Sequence, residues 1–175
     1  GELDVLNTGD MIGGDEVFVT VGDTDLSVVN GGAIAGLVFT SAQGDVRVSN
    51  TGSISTESAF IIDGGGTDPE QKYEIENAGL MSIGGDVVRD GDSFTLTNSG
   101  HFSANGEIDV DENIILNNTG SISLTGDGIG TSDGLYIQNS GSMNVGVDSA
   151  FDYAFTAGAT GISFRNTGDM SRVDR

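Results

Sequence analysis

The chain has 175 residues, enough for one domain with a core, and Gly supplies 29 of them against a single Pro. A formal net charge of −21 sets it against nucleic acid and anionic membrane, whose phosphates it would repel. Cysteine is absent, which excludes disulfides and thiol chemistry, and no apolar run is long enough to span a bilayer as a helix.

The first predicted element is "LDVLNTGDM", residues 3–11. Leu3 and Val5 alternate with other residues, Asn7 follows, then Gly9 and Met11. The same word returns down the chain. Leu26, Val28, Asn30, Gly32 and Ile34 form the second copy; Val46, Val48, Asn50, Gly52 and Ile54 form the third. Tyr73, Ile75, Asn77, Gly79 and Met81 follow, then Phe94, Leu96, Asn98, Gly100 and Phe102. The last three copies carry Ile114, Leu116, Asn118, Gly120 and Ile122; Leu135, Ile137, Asn139, Gly141 and Met143; and Ile162, Phe164, Asn166, Gly168 and Met170. Successive Asn residues lie 20–27 positions apart. All 4 methionines fall in one column.

Inside each copy the period is two, which is the alternation of a strand with one buried face. A second short strand is expected after Asn-x-Gly. A third apolar patch follows in most copies: "EVFVTV" at 16–21, "GLVFT" at 36–40, "SAFIID" at 58–63, "DVVRD" at 86–90 and "EIDVD" at 107–111. Three strands and three turns per copy describe one coil of a parallel β-helix. No apolar 3.6-residue spacing persists, and this glycine density disfavours helix. The expected fold is therefore all-β: a single-stranded parallel β-helix (β-solenoid) of about eight coils of 20–27 residues. Right-handedness follows from the usual hand of parallel connections. One domain spans 1–175, with longer loops near 62–72 and 146–160. The second loop carries Phe151, Tyr153 and Phe155, which could pack on the coil, add a strand or offer a contact patch.

The Asn column is expected at a corner, where Asn tolerates a sharp bend and its amide can bond the coils above and below as a stacked ladder. The Gly two positions on is expected to supply a positive φ that finishes the bend.

The coil "[apolar]-x-[apolar]-x-N-[ST]-G-x-[IM]-S" resembles the β-solenoid passenger regions of autotransporters and of filamentous-haemagglutinin-like surface proteins of Gram-negative bacteria. The resemblance runs from Leu3 to about Ser171. It implies export, a secreted or cell-surface location on a bacterium, and work as an adhesin, stalk or fibre.

Candidate chemical sites are sparse. His101, the only histidine, stands at an outward corner position with no nucleophile or orienting acid nominated beside it. Acidic turns recur, as in "RDGD" (89–92), "DVDEN" (109–113) and "GDGIGTSDG" (126–134). Hard cations need several oxygen ligands, and Asp127 and Asp133 are the best calcium candidates. A polysaccharide lyase or hydrolase would need clustered carboxylates with cations beside them. Lys72 is the only lysine, and Arg47 and Arg165 fall on different coils. "GGAIAG" and "GDGIG" lead into no helix, so neither makes a phosphate cradle.

The repeat runs from Leu3 to Met170 without an amphipathic helix or polar coil to cap either end. The ends are expected to pair with copies of the chain, head to tail, or with further coils of a longer parent. The leading expectation is a non-enzymatic extracellular solenoid, a filament subunit or a segment of an adhesin stalk. No cofactor is expected beyond calcium, and a host-surface or glycan ligand is a further expectation. The alternatives are a carbohydrate-binding or carbohydrate-cleaving β-helix and a trimeric phage tail-fibre segment.

Overall fold

The computed structural model describes residues 1–13, 24–36, 39–41, 44–57, 60–63, 71–126, 128–146, 155–158 and 160–173. Among them are 22 strands in three parallel sheets, and no helix.

The first sheet has eight strands, each ending on a repeat Asn: Glu2–Asn7, Asp25–Asn30, Val46–Asn50, Lys72–Asn77, Ser93–Asn98, Ile114–Asn118, Gly134–Asn139 and Gly161–Asn166. The second sheet also has eight, beginning at Asp10–Ile12 and Ala33–Ala35, with Leu80–Ile83, His101–Ala104 and Ser121–Leu124 at its centre and Asp169–Val173 at its far edge. The third has six, from Phe39–Ser41 through Ile61–Asp63, Val88–Gly91, Ile108–Val110 and Ile129–Thr131 to Phe155–Thr156. Every strand pairs with the equivalent strand of the next coil. The register sets like on like: Phe94 lies between Tyr73 and Ile114, and Asn98 between Asn77 and Asn118. This is the parallel β-solenoid expected from the columns.

The coil count needs a small correction. Complete three-sided coils are fewer than the eight copies of the repeat: six copies carry all three strands among the described residues. The last copy stops after its second strand, and "EVFVTV", the expected third strand of the first copy, lies within 14–23, outside the described residues. Most of the two longer loops, 64–70 and 147–154, lies outside them too, with Phe151 and Tyr153. From the aromatic loop, Phe155 both packs and adds a strand: it is half-buried against the core, extends the third sheet and meets Phe164 edge to face at 6.0 Å.

The core lies between the three sheets. Phe94, Leu96, Phe102, Ile114 and Leu116 are fully buried, while their strand neighbours Thr97, His101 and Ile115 face water. A buried column absent from the five of the repeat runs through Thr56, Ile83, Ala104, Leu124 and Val145. Burying a large apolar side chain contributes about 1.5–3 kcal/mol. The end coils lack half of this cover. Leu3 is 39% exposed, Ile162 52% and Phe164 43%, although the same columns are sealed two coils further in.

Candidate functional site

Three features could carry function: the corner that joins the first and second sheets, the acidic turns, and the outward face of the first sheet.

At the corner each Asn side chain points inward at the end of its strand. Its Nδ2 donates to the Oδ1 of the Asn in the next coil, at 2.7–2.8 Å, in seven consecutive bonds from Asn7 to Asn166. The same nitrogen faces two carbonyl oxygens. Asn98 Nδ2, for example, reaches Gly100 O at 3.2 Å and Ser121 O at 3.0 Å. Where the amide oxygen meets a backbone donor, as at Asn30, that donor is the N–H of its own coil's Gly32, at 3.2 Å. Carbonyls on one side and an N–H on the other fix which amide atom is nitrogen. All eight amides therefore point the same way along the stack. Asn30, Asn50, Asn77, Asn98, Asn118 and Asn139 are 1–2% exposed, so these bonds replace water that cannot reach them.

The backbone turns this corner without losing its own bonds. Ser99 and Gly100 donate their N–H groups to Asn77 O, and His101 donates to Gly79 O. The corner glycines are required for a reason other than the one expected. None of them has a positive φ; among the described residues only Gly36, Gly128 and Gly161 do. Instead a Cβ at Gly32, Gly52, Gly79, Gly100, Gly120, Gly141 or Gly168 would lie 2.0–2.1 Å from the carbonyl oxygen of the equivalent Gly one coil earlier. Coil-on-coil approach leaves no room for a methyl group. Gly9, in the first coil, has nothing within 4 Å of that position.

The acidic turns are partly spoken for. Asp25 Oδ1 accepts the N–H of Asp45, Asp45 Oδ1 that of Lys72, and Asp92 Oδ2 that of Gln71. These carboxylates close the corner between third and first sheets. Of the calcium candidates, Asp133 accepts a hydrogen bond from Thr160 Oγ1, and Asp127 lies outside the described residues. No group of three metal-ligating side chains occurs among the described residues. His101 is exposed, with Nδ1 2.7 Å from Ser121 Oγ. Arg47 reaches Glu74 at 3.9 Å and Glu76 at 3.4 Å on the open surface, five coils away from Arg165 in the register. No helix among the described residues could cross a membrane.

The outward face of the first sheet holds a groove of about 390 Å³ that crosses four coils. Lys72, Ser93 and Asn113 form one side of it by register, and Glu74, Thr95, Ile115 and Tyr136 the other. Nothing in the repeat marks these residues, because they come from positions that vary between copies. Their one sequence signal is a Tyr, two residues after a Gly, in a column otherwise polar apart from Ile115.

The geometry is that of a parallel β-solenoid, and no protein-family model, curated protein or solved structure matches the chain.

Proposed function

We propose that this chain is a structural, non-enzymatic part of an extracellular β-solenoid, joined coil upon coil into a longer rod. It does so either as subunits stacked head to tail or as one stretch of a bacterial surface stalk of the autotransporter or filamentous-haemagglutinin kind. One observation carries the reading: the two end coils expose the same columns in the same order. At one end Leu3 and Gly9 are exposed, Val5 and Met11 are half-buried, and Asn7, though buried, has no ladder neighbour beneath it; at the other Ile162, Phe164, Asn166 and Met170 are exposed and Gly168 is half-buried. Each set is what the other sheet edge pairs with everywhere inside the stack. A surface of unpaired strand edge and half-covered core is complemented by another coil of the same register. Calcium between acidic surfaces would strengthen the joint by screening like charge.

Electron microscopy and sedimentation of the native protein, first with millimolar calcium and then with chelator, test the subunit form. Thin filaments are expected, with an axial repeat of about 38 Å for eight strands at ~4.8 Å spacing. For the stalk form, two copies fused in the ladder's register are expected to give one rod of twice the length. Monomers at every concentration, together with fused copies that fold as separate beads, would overturn both forms.

A further inference from the structure

Beyond the structural role, the geometry points to a binding platform for a neutral oligosaccharide on the outward face of the first sheet, centred on Tyr136. The Tyr136 side chain folds back over Gly134. A Cβ on Gly134 would lie 2.7 Å from Asn113 Oδ1, 2.9 Å from Tyr136 Cε2 and 3.2 Å from the Tyr136 hydroxyl. Gly134 is buried although its position faces outward, because the Tyr136 ring and the Asn113 amide cover it together. The ring itself is 41% exposed. A glycine thus lets an aromatic ring lie along the sheet with area left for a ligand. Ile115 of the preceding coil, 39% exposed, continues the apolar strip in the same column.

Polar groups flank this strip. Tyr136 Oη, Thr95 Oγ1, the Asn113 amide and Lys72 Nζ make no hydrogen bond to another described residue. Ser93 Oγ is held at 3.2 Å by Glu112. A pyranose presents one face of C–H groups and a rim of hydroxyls, and it spans about one inter-strand spacing, ~4.8 Å. Its C–H face matches the ring and Ile115; its hydroxyls match the amide, hydroxyls and ammonium beside them. The charge selects among sugars. A chain of net charge −21, with Glu74 in the groove itself, repels uronate and sulfated polymers. Strands in register offer the groove's two columns coil after coil, so a linear chain running along the stack fits better than a single sugar.

Titration calorimetry with cellohexaose, chitohexaose and mannohexaose tests this, with polygalacturonate and heparin as anionic probes. Binding of at least one neutral hexasaccharide is expected. Tyr136→Ala should weaken it at least tenfold, Tyr136→Phe should retain most of it, and Gly134→Val, which displaces both the ring and the Asn113 amide, should weaken it at least as much as Tyr136→Ala does. Circular dichroism of each variant checks the fold. The proposal falls if no neutral probe binds, if binding survives Tyr136→Ala, or if only the anionic probes bind. It also falls if Tyr136→Ala abolishes a lateral dimer instead, since the face would then be a contact between copies. Filament formation does not involve this face, so failure here leaves the stacking reading untouched.

Discussion

At the scale of single residues, Asn and Gly of the repeat do different work and fail differently. Asn98 Nδ2 shares its two N–H groups among three acceptors, Asn118 Oδ1, Gly100 O and Ser121 O, and its Oδ1 takes one bond from Asn77. Asn98→Ala would leave the buried Asn118 Oδ1 without its ladder donor on one side and the buried Asn77 Nδ2 without its ladder acceptor on the other, each costing about 1–3 kcal/mol. A loss above about 3 kcal/mol is expected in urea unfolding. Asn166 is exposed, donates only to Gly168 of its own coil and accepts one ladder bond from Asn139, so Asn166→Ala should cost less than Asn98→Ala, about 1–2 kcal/mol. For the glycines, Gly100→Ala should prevent folding or cost several kcal/mol, as overpacking against backbone does. Gly9→Ala should leave the monomer's stability within about 0.5 kcal/mol. Yet Gly9→Ala should abolish stacking, because the new methyl would occupy the place of the Gly168 carbonyl of the copy beneath. Sedimentation of that single variant separates fold from assembly. The glycine column was legible in the sequence and its reason was not. A corner glycine suggests positive φ, whereas the distance that excludes a side chain exists only between coils 20 or more residues apart.

At the scale of elements, the strands were legible where their side chains sort cleanly into columns. Val, Ile, Leu, Phe and Tyr recur at the two positions before the Asn, and all of these in the central coils are buried. The column through Thr56, Ile83, Ala104 and Leu124 escapes a search for apolar identity because small and polar members dilute it. The platform of Tyr136 was illegible for a different reason. Its members stand on adjacent strands, and only the register brings Asn113, Ile115 and Tyr136 side by side. The alternation makes its own prediction. Phe102→Ala should cost about 3–5 kcal/mol, and substitution of its outward neighbour Ser103 by Thr under about 0.5 kcal/mol, read from denaturant midpoints. Hydrogen exchange should follow position in the sheet: amides of Ser93–Asn98 are expected to exchange slowest, and those of Gly161–Asn166 fastest among first-sheet strands. Protection of the latter should rise on stacking.

At the scale of the whole molecule, contacts run from each coil to its immediate neighbours, so stability is close to a sum of coil and interface contributions. Damage at the centre should then split the rod, and damage at an end should only shorten it. Replacing Phe94 by Ala is expected to broaden thermal unfolding or divide it into two steps by calorimetry; replacing Ile162 by Ala should keep one transition at nearly the same midpoint. Added coils should raise the midpoint in turn, so a fused pair of copies should melt higher than one.

The one-way run of amides from Asn7 to Asn166 makes the rod a vector. Asn7 offers an oxygen at one tip with no ladder donor below it, and Asn166 an N–H at the other. Two like tips brought together would set oxygen against oxygen or hydrogen against hydrogen. Only unlike tips mate. Any polymer built on this joint therefore lengthens with every unit facing the same way, and one held to a cell at its base would present the same tip outward at any length.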